Sequence, residues 1–402
     1  MSVVARWLVC ALALWLPCAS SQARSAPPPT DIPALEQALA ARPGNVEVMQ
    51  ALAAALLAQV RIEPRAEQLA RAEALIEQLL AAHAPRADAL DAWRLLILHR
   101  FEQALQAARR ARASNADALL AALSEADALT ELGRYREAEQ AVQALLDEHY
   151  GSAALSRASH LRRLFGDLPG ALELAQAALR QSASAVDRAW LTLDIAALEL
   201  LAGRPRVALA LATAAVTDMP AAALVMQARA QQALGAPRAA LTLYRVAAAR
   251  SARVETEVEL LRLAHPLGET QLAATTTRLL RGMESLAPAD GGGDRRAWVE
   301  FHLMNDELPA ALRLARVEWA QRPDVHSAAQ LAWVLWRAAQ HDEARDFAVR
   351  AIAEHSIEPL LQWRAGTVLT ACGDGRGAAQ VAAALRIQPW LADTAELIAR
   401  QP

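Results

Sequence analysis

The sequence predicts an all-α protein, an α-solenoid of about 9–10 helix–turn–helix repeats that form a right-handed superhelix. Composition is the first reason: hydrophobic residues make up 54% of the 402 residues but aromatic residues only 4%. Much of the apolar fraction is alanine, the strongest helix former. Runs of Val, Ile and Thr with period two, which are typical of strands, are missing.

The second reason is an internal repeat in which a short polar turn precedes an alanine that opens an amphipathic helix. "LGRYREAEQAV" from Leu132 and "CGDGRGAAQVA" from Cys372 are the first and last clear copies. Successive opening alanines are spaced by 33, 37, 32, 33, 38, 33 and 34 residues. These alanines are Ala138, Ala171, Ala208, Ala240, Ala273, Ala311, Ala344 and Ala378, with Ala104 and Ala72 extending the series upstream.

A period near 34 with helix–turn–helix units resembles the tetratricopeptide repeat (TPR) family. The family pattern also places a small residue in each first helix. That position is occupied here by Ala92, Ala126, Ser159, Ala196, Ala228, Ala332 and Gly366. Leu261 and Val299 depart from this pattern. The resemblance covers roughly residues 45–390 and implies stacked units with a concave surface formed by the first helices.

The ends and one internal segment divide the chain. Residues 1–23 combine Arg6 with a short apolar run and a small-residue cleavage site after Ala23, which predicts a secretory signal peptide and a periplasmic or secreted protein. A lipoprotein anchored through Cys18 is the less favoured alternative. We expect a Pro-rich linker at 24–31, an N-terminal array at 32–286, a Gly-rich loop at 287–295, and a C-terminal array with a capping helix at 296–402. The Gly-rich segment reads either as a long loop or as a flexible joint.

Catalytic, metal-binding and phosphate-binding signals are weak. The net charge of −3 gives no indication of a polybasic surface, so no nucleic-acid partner is expected. Gly373, Gly375 and Gly377 alternate like a phosphate loop, but the preceding residues are helical by pattern, so we interpret them as an inter-helix turn. No metal-ligand spacing or nucleophile motif occurs, so no cofactor, metal or enzymatic activity is predicted.

The resemblance implies a ligand face along the first helices. Tryptophan and arginine are typical binding anchors, although the favoured interpretation of Trp333, Trp336 and Trp363 is that they fill the core between repeats. The predicted groove consists of Asp127, Glu131, His160, Arg163, Arg229, Gln232, Arg262, His265, Arg296, Glu300, His326, Trp333, Trp336, Arg337, Trp363 and Thr367.

Two functions fit these sequence features. The first is an exported, non-catalytic module that binds a peptide or partner protein in the concave groove. The alternative is a scaffold or assembly factor of a cell-envelope complex, such as polysaccharide export or outer-membrane assembly. Both predict a protein partner and no transmembrane span after cleavage of the signal peptide.

Overall fold

The computed structural model describes residues 31–63, 65–286 and 295–392. These residues form 21 α-helices and no strands. The helices are α1 (Ile32–Ala41), α2 (Val46–Ile62), α3 (Ala66–Ala81), α4 (Ala87–Ile97), α5 (Phe101–Ser114), α6 (Ala118–Glu131), α7 (Tyr135–Glu148), α8 (Ser152–Leu164), α9 (Leu168–Gln181), α10 (Ala185–Leu201), α11 (Pro205–Ala214), α12 (Pro220–Ala233), α13 (Pro237–Arg250), α14 (Val254–Ala264), α15 (Thr270–Leu286), α16 (Arg295–Met304), α17 (Leu308–Gln321), α18 (Val325–Arg337), α19 (His341–Ala351), α20 (Pro359–Ala371) and α21 (Gly377–Ile387).

Consecutive helices pack in pairs, which confirms the predicted all-α solenoid. After α1, ten pairs follow from α2/α3 to α20/α21. We call the even-numbered helices α2–α20 the first helices and the odd-numbered helices α3–α21 the second helices. First helices also contact each other along the stack, as α14 does α16 and α18 does α20.

Small residues allow the two helices of each pair to cross closely. All the first-helix small positions predicted from the sequence are buried, and so are Leu261 and Val299. In the pair α8/α9, the Ser159 hydroxyl donates to the carbonyl oxygen of Ala171 over 2.8 Å. Close approach at these points lets flanking aliphatic side chains of neighbouring helices pack at interior density.

The turn between paired helices requires a left-handed residue. Gly133, Gly166, Gly203, Gly235, Gly268 and Gly373 hold this position with φ between +65° and +78°. Gly373 therefore ends α20 as a turn residue, in agreement with the interpretation of the alternating glycines as an inter-helix turn.

The register of the last repeat differs by one residue from the one expected from the sequence. The opening alanines Ala138 to Ala344 are buried, but Ala378 is exposed and Gly377 takes the buried position. A Cβ on Gly377 would lie 2.5 Å from the carbonyl oxygen of Gly366. The two helices of this pair cross so closely that only glycine fits.

Several predictions fall outside the described residues. They are the signal peptide, nearly all of the Pro-rich linker, the Gly-rich segment at 287–294, and the final helix beyond 392. The division into two arrays stays a prediction, although Arg262 of α14 reaches Glu300 of α16 across that segment over 3.2 Å. No helix among the described residues has both the length and the apolar character needed to cross a membrane.

Candidate functional site: a charged cavity beside a seam

The solenoid contacts itself between residues 131–166 and 322–361, and we call this contact the seam. The backbone N–H of Val325 donates to the Tyr135 hydroxyl over 3.0 Å, although the two residues are 190 positions apart. Tyr135 and Leu164 share a buried cluster with Val325 and Leu361. The seam therefore includes apolar core as well as polar contacts.

Two turn glycines bring backbone against backbone at the seam. A Cβ on Gly133 would lie under 3.0 Å from the carbonyl oxygen of Pro323, and one on Gly166 would lie 2.5 Å from that of His355. Gly203 and Gly235 have the same left-handed φ but nothing within 4 Å of a Cβ. The glycines at the seam thus meet a steric requirement that Gly203 and Gly235 do not share.

Charged groups complete the seam. Arg322 forms an ion pair with Glu131 and places its guanidinium carbon 5.1 Å from the centre of the Phe101 ring. Arg163 lies 3.5 Å from Glu358. Because these contacts join early and late repeats, they bring residues from both ends of the stack to one cavity lined by first helices.

The central cavity has a volume of about 440 Å³. Its lining contains six arginines and six carboxylates, so its formal charges balance. The polar lining residues are Thr130, Glu131, Tyr135, His160, Arg163, Arg229, Glu255, Glu259, Arg262, Arg296, Glu300, Arg322, Asp324, His326, Gln330, Glu358 and Arg364.

Glu300 is the centre of one ion-pair group. Nη2 of Arg364 lies 2.7 and 2.6 Å from its two carboxylate oxygens, and Gln330 donates to it over 2.6 Å. Arg262 donates to the same carboxylate over 3.2 Å. Burial would raise the pKa of Glu300, but Arg364 and Arg262 outweigh it and lower the pKa to about 2. This carboxylate is therefore charged at neutral pH.

Asp324 organises a second group beside the seam. Its carboxylate caps α18 by accepting from the N–H of Ser327 over 2.7 Å. It also lies 3.2 Å from Arg322 and 3.4 Å from Arg296. Burial raises the pKa of the neighbouring Glu131 carboxyl although Arg322 opposes this effect. The Asp324 carboxylate thus begins a helix and also holds two arginines at the cavity wall.

Two histidines face the cavity, and burial lowers the pKa of both. Burial, followed by the nearby Arg163 charge, lowers the pKa of His160 to about 3. Burial also lowers the pKa of His326, against the opposing effect of Asp324. The Nδ1 atom of His160 lies 3.0 Å from Nη2 of Arg163. Since a guanidinium can only donate, Nδ1 accepts and the proton is on Nε2.

Arg229 differs from the other cavity arginines. It forms no ion pair within 4.0 Å with a described carboxylate, and its side-chain hydrogen bond goes to the hydroxyl of Tyr244. Tyr244 is fully buried and donates to Gln232 over 3.2 Å. Arg229 is itself exposed to the cavity, so its remaining donors are available to a ligand.

The structure brings half of the predicted groove residues together. Glu131, His160, Arg163, Arg229, Arg262, Arg296, Glu300 and His326 line the cavity. Asp127 instead pairs with Arg157 at 2.5 Å, and Gln232 supports Tyr244. His265 and Thr367 lie outside the cavity lining, as does Arg337, whose guanidinium is 3.6 Å from Asp306.

The tryptophans lie in the core, which is the alternative that the sequence left open. Trp333 and Trp363 are each only 3% exposed, and their ring centres are 4.9 Å apart. Trp336 is half-buried and stacks on Trp333 at 5.2 Å. Their side chains fill the space between adjacent first helices.

Sequence reasoning missed several cavity residues for two reasons. Arg322, Asp324, Glu358 and Tyr135 lie in or beside the turns, and only the seam brings them to the cavity. The others, Glu255, Glu259, Gln330 and Arg364, lie on first helices that also carry predicted residues. Glu255 and Glu259 precede Arg262 by seven and three residues, and Gln330 follows His326 by four, so helical spacing already places these three on the predicted face. Arg364 directly follows Trp363, so a one-residue change of helix phase would have found it.

The charged groups of the cavity are suited to binding a charged ligand. Its carboxylates are held by arginines, and no group of three or more metal-ligating side chains occurs among the described residues. Guanidinium and carboxylate groups in a partly desolvated site favour charge-assisted hydrogen bonds with a charged ligand.

Together, the paired helices, the stack and the cavity define an all-α solenoid of helix–turn–helix repeats. No protein-family model matches the sequence, and no curated protein is similar enough to match. Solved structures similar in fold include a human IFIT1 dimer with m7Gppp-AAAA, at 12% identity and TM-score 0.49 over 89% of this chain and 85% of that chain. A tetratricopeptide repeat protein from Parabacteroides merdae has 17% identity and TM-score 0.34 over 59% and 93%. The Cut9–Hcn1 assembly of APC/C has 13% identity and TM-score 0.38 over 89% and 90%.

Proposed function

We propose that the chain is an exported, non-catalytic interaction module that holds a short segment of a partner protein in the central cavity. The observation that carries this proposal is the convergence of seven first helices on one charged cavity, namely α6, α8, α12, α14, α16, α18 and α20. A cofactor-independent binding role fits a site whose charged groups are arranged for hydrogen bonding and ion pairing.

The lining defines the kind of segment that would bind. Six arginines and six carboxylates favour a peptide that carries both acidic and basic side chains. Arg229 supplies donors for an acidic side chain because no described carboxylate pairs with it. Glu255 and Glu259, four residues apart on α14, can accept from a basic one.

Site-specific photo-crosslinking in cells tests the proposal. The benzophenone amino acid p-benzoylphenylalanine is placed at position 360, where Leu360 lines the cavity, or at position 180, which is exposed on a second helix. We expect one dominant covalent adduct from position 360 and none from position 180. Glu259→Gln or Arg229→Gln, introduced beside the probe at position 360, should reduce the adduct.

Two results would contradict the proposal. Equal adducts from both positions would show contact with the outer surface instead of the cavity. An adduct that Glu259→Gln leaves unchanged would show that the lining does not select the partner. Cell fractionation tests the location separately, because a periplasmic or secreted protein should be absent from the cytoplasmic fraction.

A further inference from the structure

The outer side of four consecutive repeats carries an unusual concentration of positive charge. Helices α11, α13, α15 and α17 contain eight arginines and two glutamates, a net charge of +6 in a chain whose total is −3. The other second helices carry between −3 and +2. We call the exposed residues of these four helices the convex strip, because second helices lie away from the cavity.

The two glutamates of these helices do not neutralise the strip at its surface. Glu318 of α17 is 3% exposed and lies 3.6 Å from Arg295, and Glu284 of α15 is half-buried and bonded to His302 at 2.8 Å. Seven of the eight arginines are exposed. They are Arg206, Arg238, Arg245, Arg250, Arg278, Arg313 and Arg316.

Neighbouring elements supply carboxylates to two of these seven arginines. Arg316 pairs with Glu343 at 2.6 Å, and Arg238 lies 3.6 Å from Glu269. Both contacts are between exposed side chains, where an ion pair is weak and its partners can exchange. The strip therefore keeps a surplus of exposed guanidinium groups.

Exposed aliphatic side chains accompany these arginines at a fixed register. An arginine followed by an aliphatic residue occurs five and six positions after the opening alanine in three successive repeats. The pairs are Arg245–Val246, Arg278–Leu279 and Arg316–Val317, and the aliphatic members are 44%, 43% and 38% exposed. The repeated register places the three pairs on the same side of their repeats.

We propose that the convex strip attaches the protein peripherally to an anionic lipid bilayer. Arginines would bind lipid phosphates, and the aliphatic side chains would enter the boundary between headgroups and acyl chains. A convex surface fits a flat bilayer, where it makes contact along a short strip. None of the strip's large exposed hydrophobics is aromatic, which disfavours single-stranded nucleic acid as the ligand.

The mode of attachment leaves the cavity free. The strip lies on second helices, and the cavity is lined mainly by first helices and their turns. This inference goes beyond the proposed partner binding, and either can fail without the other.

Co-sedimentation of the full chain with lipid vesicles tests the inference. We expect the chain to bind vesicles of 70% phosphatidylcholine and 30% phosphatidylglycerol much more tightly than vesicles of phosphatidylcholine alone, and to dissociate as salt rises. The triple variant Arg245→Gln, Arg250→Gln and Arg313→Gln removes three exposed arginines, none of which forms an ion pair with a described carboxylate. At about fivefold per arginine, this variant should bind the anionic vesicles about 100-fold more weakly.

A matched triple variant controls for total charge. Arg136→Gln, Arg180→Gln and Arg386→Gln remove three exposed arginines from second helices outside the strip. This variant should keep most of the binding, and both variants should have unchanged helical circular dichroism. Leu279→Ser tests the aliphatic contribution and should weaken binding several-fold without changing its dependence on salt.

Three results would overturn the proposal. The first is wild-type binding that does not distinguish the two kinds of vesicle, as insertion of the apolar run in residues 1–23 would produce. The second is an equal loss in the two triple variants. The third is binding to duplex DNA or to polyglutamate without binding to anionic vesicles, which would assign the strip to another class of partner.

Discussion

A comparison of Gly133→Ala with Gly203→Ala separates the steric cost of an added methyl group at the seam from the backbone strain of alanine in a left-handed turn. Gly133 has φ +65° and its Cβ position lies against the backbone of Pro323, whereas Gly203 has φ +71° and open space around it. An alanine in the left-handed region costs about 1–2 kcal/mol at either site. Forcing an extra methyl against a backbone carbonyl costs about a further 1–3 kcal/mol.

We therefore expect Gly133→Ala to destabilise the protein by about 2–5 kcal/mol and Gly203→Ala by about 1–2 kcal/mol. Urea unfolding followed by far-ultraviolet circular dichroism measures both. Amide hydrogen exchange gives a local measurement, because the Val325 N–H is bonded to Tyr135 across the seam. Gly133→Ala should accelerate its exchange and Gly203→Ala should not. Equal effects of the two substitutions in both assays would refute the tight seam.

Three further predictions concern the core and the cavity. Trp333→Ala should cost about 3–5 kcal/mol in urea unfolding because the side chain is 3% exposed, and a cost below about 1 kcal/mol would place it at the surface. Glu300→Gln should cost about 3–5 kcal/mol because it leaves the buried Arg364 uncompensated, whereas an unchanged unfolding midpoint would contradict this ion pair. The pKa of His160 in the folded protein is about 3, below its ordinary value near 6.5. The unfolded chain therefore binds the proton more readily, and the free energy of unfolding falls as the pH decreases from 6.5 towards 3. His160→Asn should flatten this part of the stability profile by a few kcal/mol relative to wild type, and parallel profiles would exclude a neutral buried His160.

The architecture could be predicted because it depends on local and periodic features. Opening alanines such as Ala138 and Ala311 are fully buried where the 34-residue register places them. The sequence register placed Ala378 at the buried opening position that Gly377 occupies, and this error has a simple physical cause. Gly377 and Ala378 are both small, and only the close crossing with Gly366 decides which of them is buried.

The candidate site was harder to predict because it depends on contacts distant in sequence. Arg322 and Glu358 reach the cavity only because the seam brings their turns beside α6 and α8. Trp333 shows a second limit, since a tryptophan on a first helix can face either the cavity or the neighbouring repeat. The net charge of a chain also says nothing about where its charged side chains lie. The total of −3 did not indicate that α11, α13, α15 and α17 together carry a net charge of +6.

The seam also changes how the repeats share their stability. In an open repeat array each unit interacts only with its neighbours, so the loss of a terminal unit removes roughly that unit's own contribution. Here Tyr135 and Val325 close a loop of 190 residues, at an entropic cost of about 5 kcal/mol by logarithmic scaling. Deletion of α18–α21 would therefore also release α7 and α8 from their contacts across the seam. We expect the units between the two sides of the seam to unfold together as one cooperative block, and the closure to form late in folding because its contacts are so distant in sequence.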